Sequence, residues 1–340
     1  MKKPVTIYDI AKALKLTGST VSRALRDRSD VGEETKKKVL AQAKKMRYQP
    51  NLVAANLRNG KTKALGIVVP EINNHFFANV IAGIEHVSYQ HGYNLIICQT
   101  NELFEKEVES VKMLMNHNVA GIIISLSKTT LNTLHLLEAK AHQIRVIQFD
   151  RTDSKFDSLR IINNNFESAV NAVKHLHEQG YQRPAFLAGP RDVNIFQERY
   201  EGFRKGLELA GLPFTRKNVA FDCLTKEKAK SAMVKMLTGP SRPDAVLASA
   251  DLAALGALEA ANELGINVPS ELGICGFSNE PYTELTNPTL STVDQYSIEM
   301  GKRIMEAFIG SPGRKKTPDP IIVNADVVVR RSTNRLGLTG

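Results

Sequence analysis

The sequence predicts a small all-α head followed by a larger α/β body of two lobes with parallel sheets. Three observations carry this expectation. Charge is segregated: residues 1–61 hold fifteen Lys/Arg against five Asp/Glu, the remaining residues hold thirty of each, and the whole net charge of +10 therefore lies in the head. Apolar residues recur at helical spacing in that head, whereas short apolar strands alternate with helix-length spacers after it. At 340 residues the chain also exceeds one ordinary core, which fits a head plus a two-lobed body.

In the head, Ile7, Ile10, Ala11 and Leu14 share one face of a short helix that Thr6 is placed to cap. Lys15-Leu16-Thr17 makes a tight corner. Val21 and Leu25 then resume helical spacing from Gly18, with Thr17 as the cap. Two short helices joined by about three residues form a helix-turn-helix, whose second member lies in the major groove of a duplex. A third helix over 33–46 is expected to bury Val39, Leu40, Ala43 and Met46 and to leave Lys36, Lys37, Lys38, Lys44 and Lys45 outside. Cations neutralise phosphates and release counterions, so this is the part of the chain suited to a polyanion. Thr20, Ser22 and Arg23 sit near the exposed side of the second helix: hydroxyls suit phosphates and bases, and Arg pairs bidentately with guanine. Thr6 and Tyr8 are placed to hold the nucleic-acid backbone. A protein-docking cap is the plainer alternative for amphipathic helices taken alone.

After residue 63 the strand-like runs 65–69, 95–98, 121–124 and 146–149 alternate with helical stretches, and a second series follows at 185–187, 219–221, 245–247 and 273–275. Strict alternation argues parallel sheets covered on both faces, and 321–323 and 327–329 are expected to cross back between the two lobes. Ligands of open α/β sheets sit at the carboxyl ends of the strands, here in an interlobe cleft. Val69-Pro70-Glu71-Ile72-Asn73 stands where a glycine-rich dinucleotide fingerprint would follow the first strand, no P-loop occurs, and no nucleophile has a base at hand. The eight histidines show no metal-ligand spacing. No enzyme activity, cofactor or metal is therefore expected. Cys98, Cys223 and Cys275 are odd in number and scattered, as buried thiols of a reducing compartment would be. Apolar runs are too short to span a bilayer, and a cytoplasmic location is expected.

Three blocks of the head, Val5-Thr6-Ile7-Tyr8-Asp9-Ile10-Ala11, Thr20-Val21-Ser22-Arg23-Ala24-Leu25 and Arg47-Tyr48-Gln49-Pro50-Asn51-Leu52-Val53-Ala54, resemble the lactose/galactose repressor (LacI/GalR) family of bacterial transcription regulators. The likeness, which extends to periplasmic sugar-binding proteins, continues to about residue 332. Its carriers are Asn73-Asn74-His75-Phe76-Phe77, Phe149-Asp150, Asn164-Asn165-Phe166-Glu167, Arg199-Tyr200-Glu201-Gly202-Phe203, the run from Asp251 to Ala257, and Ser291-Thr292-Val293-Asp294-Gln295. It implies a helix-turn-helix domain at 1–49, a hinge helix and linker at 50–61, a periplasmic-binding-protein-like effector and dimerisation domain at 62–332, and a tail at 333–340. Within the body it implies a first lobe of 62–161 and 291–320 and a second of 162–290 and 321–332.

The resemblance further implies that Gly18, Ser19 and Arg23 read bases, Gly18 departing from the side-chain-bearing residue usual there. Asn51, Ala54 and Leu57 of the hinge would lie on DNA, with Leu57 wedged into the minor groove and kinking the duplex. Asn73, Phe76, Phe77, Asp150, Asn164, Phe166, Arg199, Asp251, Asn279 and Gln295 would line an effector cleft. There Arg199 could fork onto hydroxyls or an anion, Asp150, Asn164 and Asp251 could bind hydroxyls, and Phe76 or Phe77 could stack on a sugar face. Each has an ordinary alternative: Asp251 opens a helix and could cap it, Arg199 could pair with Glu198 or Glu201, and both phenylalanines could be core. Three departures thin the hydroxyl-binding chemistry, namely Ser278 where an acid is frequent, Ala250 where Asn is common, and Cys223 near a position often aromatic. The function implied is a sequence-specific transcriptional repressor, homodimeric on a near-palindromic operator, controlled by a sugar or sugar derivative. The alternatives are control by a phosphoprotein corepressor, as in the catabolite-control branch, and a sugar-binding transport protein.

Overall fold

Thr6 sets the first helix of the head, α1 (Ile7–Leu14), through a reciprocal cap: its backbone N–H donates to Asp9 Oδ2 at 2.8 Å, and Asp9 N–H donates back to Thr6 Oγ1 at 3.4 Å. The helix ends at Lys15 in the left-handed region. Thr17 caps α2 (Gly18–Ala24) by accepting the Thr20 N–H at 3.2 Å, and α3 (Glu33–Lys45) follows, acidic in its first turn and basic in its last, as the helix dipole favours. Ile10, Ala11, Val21, Ala24, Val31, Val39 and Ala43 form the small core.

Two expectations for α3 are corrected. Leu40 is 53% exposed, whereas Lys36 is buried. The inward stripe runs through positions 36, 39, 43 and 46, one residue off the register that would bury Leu40. The Lys36 stem lies along this stripe and its ammonium emerges between Asp27 Oδ1 and Glu33 Oε1, each at 2.8 Å. Lys36 thus ties the turn after α2 onto α3 and is not part of the outer basic face.

The computed structural model describes residues 5–25, 27–48, 63–310 and 319–338. The chain divides into two compact units, 1–62 and 63–340; Asn51, Ala54 and Leu57 lie outside the described residues.

The body begins with β1 (Ala64–Val69), α4 (His75–Gln90), β2 (Asn94–Gln99), α5 (Phe104–Asn116), β3 (Gly121–Ile124), α6 (Leu134–Ala141), β4 (Arg145–Phe149) and β5 (Leu159–Asn163). The second lobe follows with α7 (Asn165–Glu178), β6 (Pro184–Leu187), α8 (Asn194–Leu209), β7 (Val219–Ala220), α9 (Lys226–Leu237), β8 (Ala245–Ala248), α10 (Asp251–Glu263) and β9 (Gly273–Cys275). The chain then adds β10 (Thr292–Asp294), α11 (Ser297–Gly310), β11 (Ile321–Val323) and β12 (Asp326–Val328). The first-lobe sheet is parallel throughout, in the order β11-β5-β4-β3-β1-β2, and the second is parallel in the order β7-β6-β8-β9. Helices cover both faces of each sheet. In the first lobe, Val80, Ile84, Met300 and Ile304 of α4 and α11 pack on one face, and Val111, Leu114 and Leu136 of α5 and α6 on the other.

The lobe assignment of the two late strands is exchanged relative to the expectation. β11 pairs in parallel with β5, Ile321 opposite Ile161, and so completes the first-lobe sheet. β10 pairs antiparallel with β12 beside the second lobe, and Val293 enters that lobe's core together with Phe277 and Ala325. Among the described residues no helix is long and apolar enough to cross a membrane, and Cys98, Cys223 and Cys275 are buried free thiols.

α4 and α11 approach so closely that only glycines fit at the crossing: a Cβ on Gly83 would lie 2.2 Å from the Ile298 carbonyl oxygen, and one on Gly301 would lie 2.1 Å from that of Val80. Gly83→Ala is therefore expected to destabilise the body by about 2 kcal/mol, measured as a lower denaturation midpoint in urea with unchanged slope.

Candidate functional site

On the head, the start of α2 carries a knot of hydroxyls. Thr17 Oγ1 lies 2.8 Å from both Ser19 Oγ and Thr20 Oγ1, which fixes their rotamers at the helix end where a duplex would be met. Tyr8 is 72% exposed and its ring lies over Gly18, where an added Cβ would stand 3.0 Å from the ring edge. A side chain at this position would press on the Tyr8 ring, so the glycine leaves Tyr8 room beside α2. Arg23 is exposed and pairs with Asp30 at 3.3 Å, so its guanidinium is presented in a defined place. Ser22 is on the same short helix. Thr6 has its hydroxyl hydrogen on Asp9 Oδ2 at 2.7 Å, making it a cap first.

In the body, the carboxyl ends of β4 and β8 and the starts of α8 and α10 bring charged groups together between the lobes. Asp150 and Arg151 follow β4. Asp150 is buried with φ at 55°, in the left-handed region, and burial pushes its carboxyl up despite Arg151 and Arg199 nearby. Arg199 on α8 is 3% exposed. Its Nε donates to Asn165 Oδ1 at 2.9 Å, one Nη donates to the Ser249 carbonyl at 2.8 Å, and its plane lies 3.7 Å from the Phe277 ring centroid. Burial lowers its pKa to about 10, with Asp150 and Glu198 opposing that shift, so it stays charged at neutral pH. Arg151 donates to both oxygens of Glu102 at 2.8 Å and stands over Phe77 and Phe196. Asp251 at the start of α10 accepts the Glu280 N–H at 2.7 Å and the Thr292 hydroxyl at 2.6 Å. Burial nevertheless pushes it up to about 6.

Of the sequence-derived cleft residues, Asp150, Arg199 and Asp251 therefore meet at one interlobe cluster. Phe76 and Phe77 are members of the first-lobe core, in edge contact with each other at 5.3 Å, and Phe77 reaches the cluster through Arg151. Asn73 is exposed and Phe166 is 37% exposed. Asn279 is committed to Asp294 Oδ2 and to Arg330, at 2.9 and 2.8 Å.

Asn164 and Gln295 are placed in the interlobe crossings instead of on the cleft wall. Asn164 Oδ1 accepts the Ala325 N–H at 2.7 Å, while Gln295 Nε2 donates to Asn163 Oδ1 at 3.0 Å. Asn163 in turn donates to the carbonyls of Gln295 and Val323, at 3.0 and 2.8 Å.

The cluster also contains Arg151, Glu102, Asn165, Glu198 and Ser249, which reasoning from sequence did not select. Arg151 and Asn165 each adjoin a selected residue at a strand's carboxyl end, and that position was the available signal. Nothing in the sequence marked Glu102 or Ser249. Among the described residues no group of three or more His, Cys, Asp or Glu is arranged to hold a metal ion.

A capped helix-turn-helix head joined to a body of two parallel-sheet lobes defines the class of helix-turn-helix transcription regulators with a periplasmic-binding-protein-like body. Residues 6–51 match the family described as bacterial regulatory proteins, lacI family, and residues 173–333 match a periplasmic binding protein-like domain. The HTH-type transcriptional repressor PurR of Actinobacillus pleuropneumoniae serotype 3 (strain JL03) is 30% identical over 334 residues, covering 97% of this chain and 99% of that protein. Catabolite control protein A of Priestia megaterium is 29% identical over 320 residues, covering 94% and 96%. A lac repressor dimer solved with operator and an anti-inducer superposes with a TM-score of 0.84 at 24% identity, over 97% of this chain and 99% of that one, and shows the same fold. The chain belongs to the lacI family of bacterial regulatory proteins and is a DNA-binding transcription regulator.

Two outcomes test the cluster. A carboxyl raised on folding favours the folded state when protonated, so Asp251 contributes stability that is present below its unfolded value of about 4 and lost as pH rises to about 6. Asp251→Asn should lack this dependence: measured by denaturation between pH 4 and 7, the stability difference shifts in the variant's favour up to about pH 6 and is flat above. Arg199→Met, which leaves buried carboxylates without their cation, should cost roughly 3 kcal/mol or more at pH 7.

Proposed function

We propose that the protein is a cytoplasmic, homodimeric repressor whose operator affinity is set by a small effector, a sugar or sugar derivative, held between the two lobes. The observation that carries this reading is the joining of two unlike charge patterns. A head with the whole net charge presents Arg23, Ser19 and Thr20 outward, while a charge-balanced body concentrates buried Arg199, Asp150 and Asp251 at the carboxyl ends of its strands. The first suits a polyanion and the second a small polar ligand.

The homodimer is supported by an apolar face at the end of the first-lobe sheet. Ile72 and Ile97 are about half exposed and, with Ala78 and Ile81, line a hollow of about 350 Å³ beside β2. Covering this face with a second copy buries it and doubles the heads available to a near-palindromic operator. Effector binding then acts as a difference in affinity between two lobe arrangements, only one of which lets both heads engage. On this reading Thr6, Tyr8 and Thr17 position the head, Gly18, Ser19, Thr20, Ser22 and Arg23 meet the groove, and Asn51, Ala54 and Leu57 serve the hinge. Likeness to catabolite control protein A supports a second reading, in which a phosphoprotein docks on the first lobe as corepressor. A transport role would leave the basic head without a task.

The test starts from a duplex selected out of a random pool and compares it with mixed-sequence DNA. Arg23→Ala should lose about 1–3 kcal/mol on the selected duplex and little on the mixed one. Lys37→Ala should weaken both equally and reduce the salt slope by about one. Equal loss on both duplexes for Arg23→Ala would remove direct readout from the proposal.

A further inference from the structure

The interlobe cluster holds more carboxylates than cations. Glu102, Asp150, Glu198, Asp251 and Glu280 stand against Arg151 and Arg199. They lie within electrostatic reach of one another: Asp150 of both guanidiniums, Glu198 and Asp251 of Arg199, and Glu280 of Asp251. Both guanidiniums are partly committed already. Arg151 faces Glu102 with one Nη, and its Nε lies 4.0 Å from Asp150 Oδ2. Arg199 commits Nε and one Nη to the neutral acceptors of Asn165 and Ser249.

A second, independent observation marks the same place as a ligand site. Ser249 at the cleft end of β8 is fully buried and its hydroxyl has no hydrogen-bond partner; the same holds for the Nε of Arg151, a residue 9% exposed. The Tyr282 hydroxyl, in the field of Asp251 and Glu280, is likewise buried without a partner. Unpartnered buried polar atoms cost about 1–3 kcal/mol each, so their clustering beside surplus carboxylates points to a missing polar occupant.

Building on the proposed effector cleft, we infer that its ligand is a hydroxylated small molecule carrying a protonated amine, of the amino-sugar class, and not a phosphate or carboxylate. The ammonium sits by Asp251 and Glu280, and the ligand hydroxyls meet Ser249, Tyr282 and the Arg151 Nε. Burial raises the carboxyls of Asp150, Glu198, Asp251 and Glu280, and a bound cation reverses that shift. An added anion would instead meet a surplus of acids over cations.

The experiment titrates the full-length protein calorimetrically at pH 7.5 with three matched sets: glucosamine, galactosamine and mannosamine; the parent hexoses; and the hexose 6-phosphates. Operator binding is read in parallel. Expected is binding within the amine set, roughly tenfold or more tighter than the matching parent hexose, and no binding by the phosphates. Glu280→Gln should erase most of that amine preference, read as the ratio of amine to parent-hexose affinity, and Asp251→Asn provides the same ratio if the first variant fails to fold. Tighter binding of a phosphate, or equal binding of amine and parent, overturns the inference while leaving the effector cleft standing. Absence of binding in all three sets, with operator affinity unmoved, counts against both.

Discussion

The body depends on how its two lobes are fastened to each other. The chain passes between them three times, after β5, after β10 and after β11, and a single side chain holds all three passages together. Asn163 donates to the carbonyls of Gln295 and Val323 and accepts from the Gln295 amide. Asn164 adds a bond to Ala325 N–H. These groups are buried, so each bond replaces one that water would otherwise have to supply, and losing it leaves an unsatisfied polar atom in a dry place. The result is a joint whose three crossings are held in register by one set of amide bonds.

With the joint fixed, the charged cluster becomes the variable part. Asp150 and Arg151 come from the first lobe, while Glu198, Arg199, Asp251 and Glu280 come from the second, so the attraction and repulsion among them change with the distance between lobes. Low dielectric makes each interaction larger than at the surface. A ligand that alters this balance shifts the lobe arrangement by no more than its differential affinity for the two states. In the proposed regulator that shift is the signal to DNA, and it requires no electrostatic link to the head, whose excess charge is confined to residues 1–61.

Much of this was legible in the sequence because it follows local rules. Thr6 and Thr17 were identified as caps because a hydroxyl just before an apolar helical stripe has one preferred partner, the free N–H groups of the first turn. The parallel strands were legible from continuous apolar runs. The interior of α3 was not, since Lys36 and Leu40 differ by one helical register and a long lysine stem packs as an apolar group until its end meets Asp27 and Glu33. The late strands were placed in each other's lobes because both are three-residue segments whose lobe is decided only by pairing, Ile321 with Ile161 and Val293 with Val327. Asn164 and Gln295 were expected on the cleft wall, but an amide suits a sugar hydroxyl and a backbone group equally, and strands distant in sequence commit both to the crossings. Glu102 and Ser249 are brought to the cluster by tertiary folding alone.

The joint is tested most directly by amide hydrogen exchange on Asn163→Ala. If one amide fastens all three crossings, exchange accelerates together at 163–165, 294–297 and 323–326, while the strands β1, β3, β6 and β8 keep their native protection. Acceleration confined to the neighbours of residue 163, with the other two crossings unchanged, would contradict the claim that one amide fastens the three crossings.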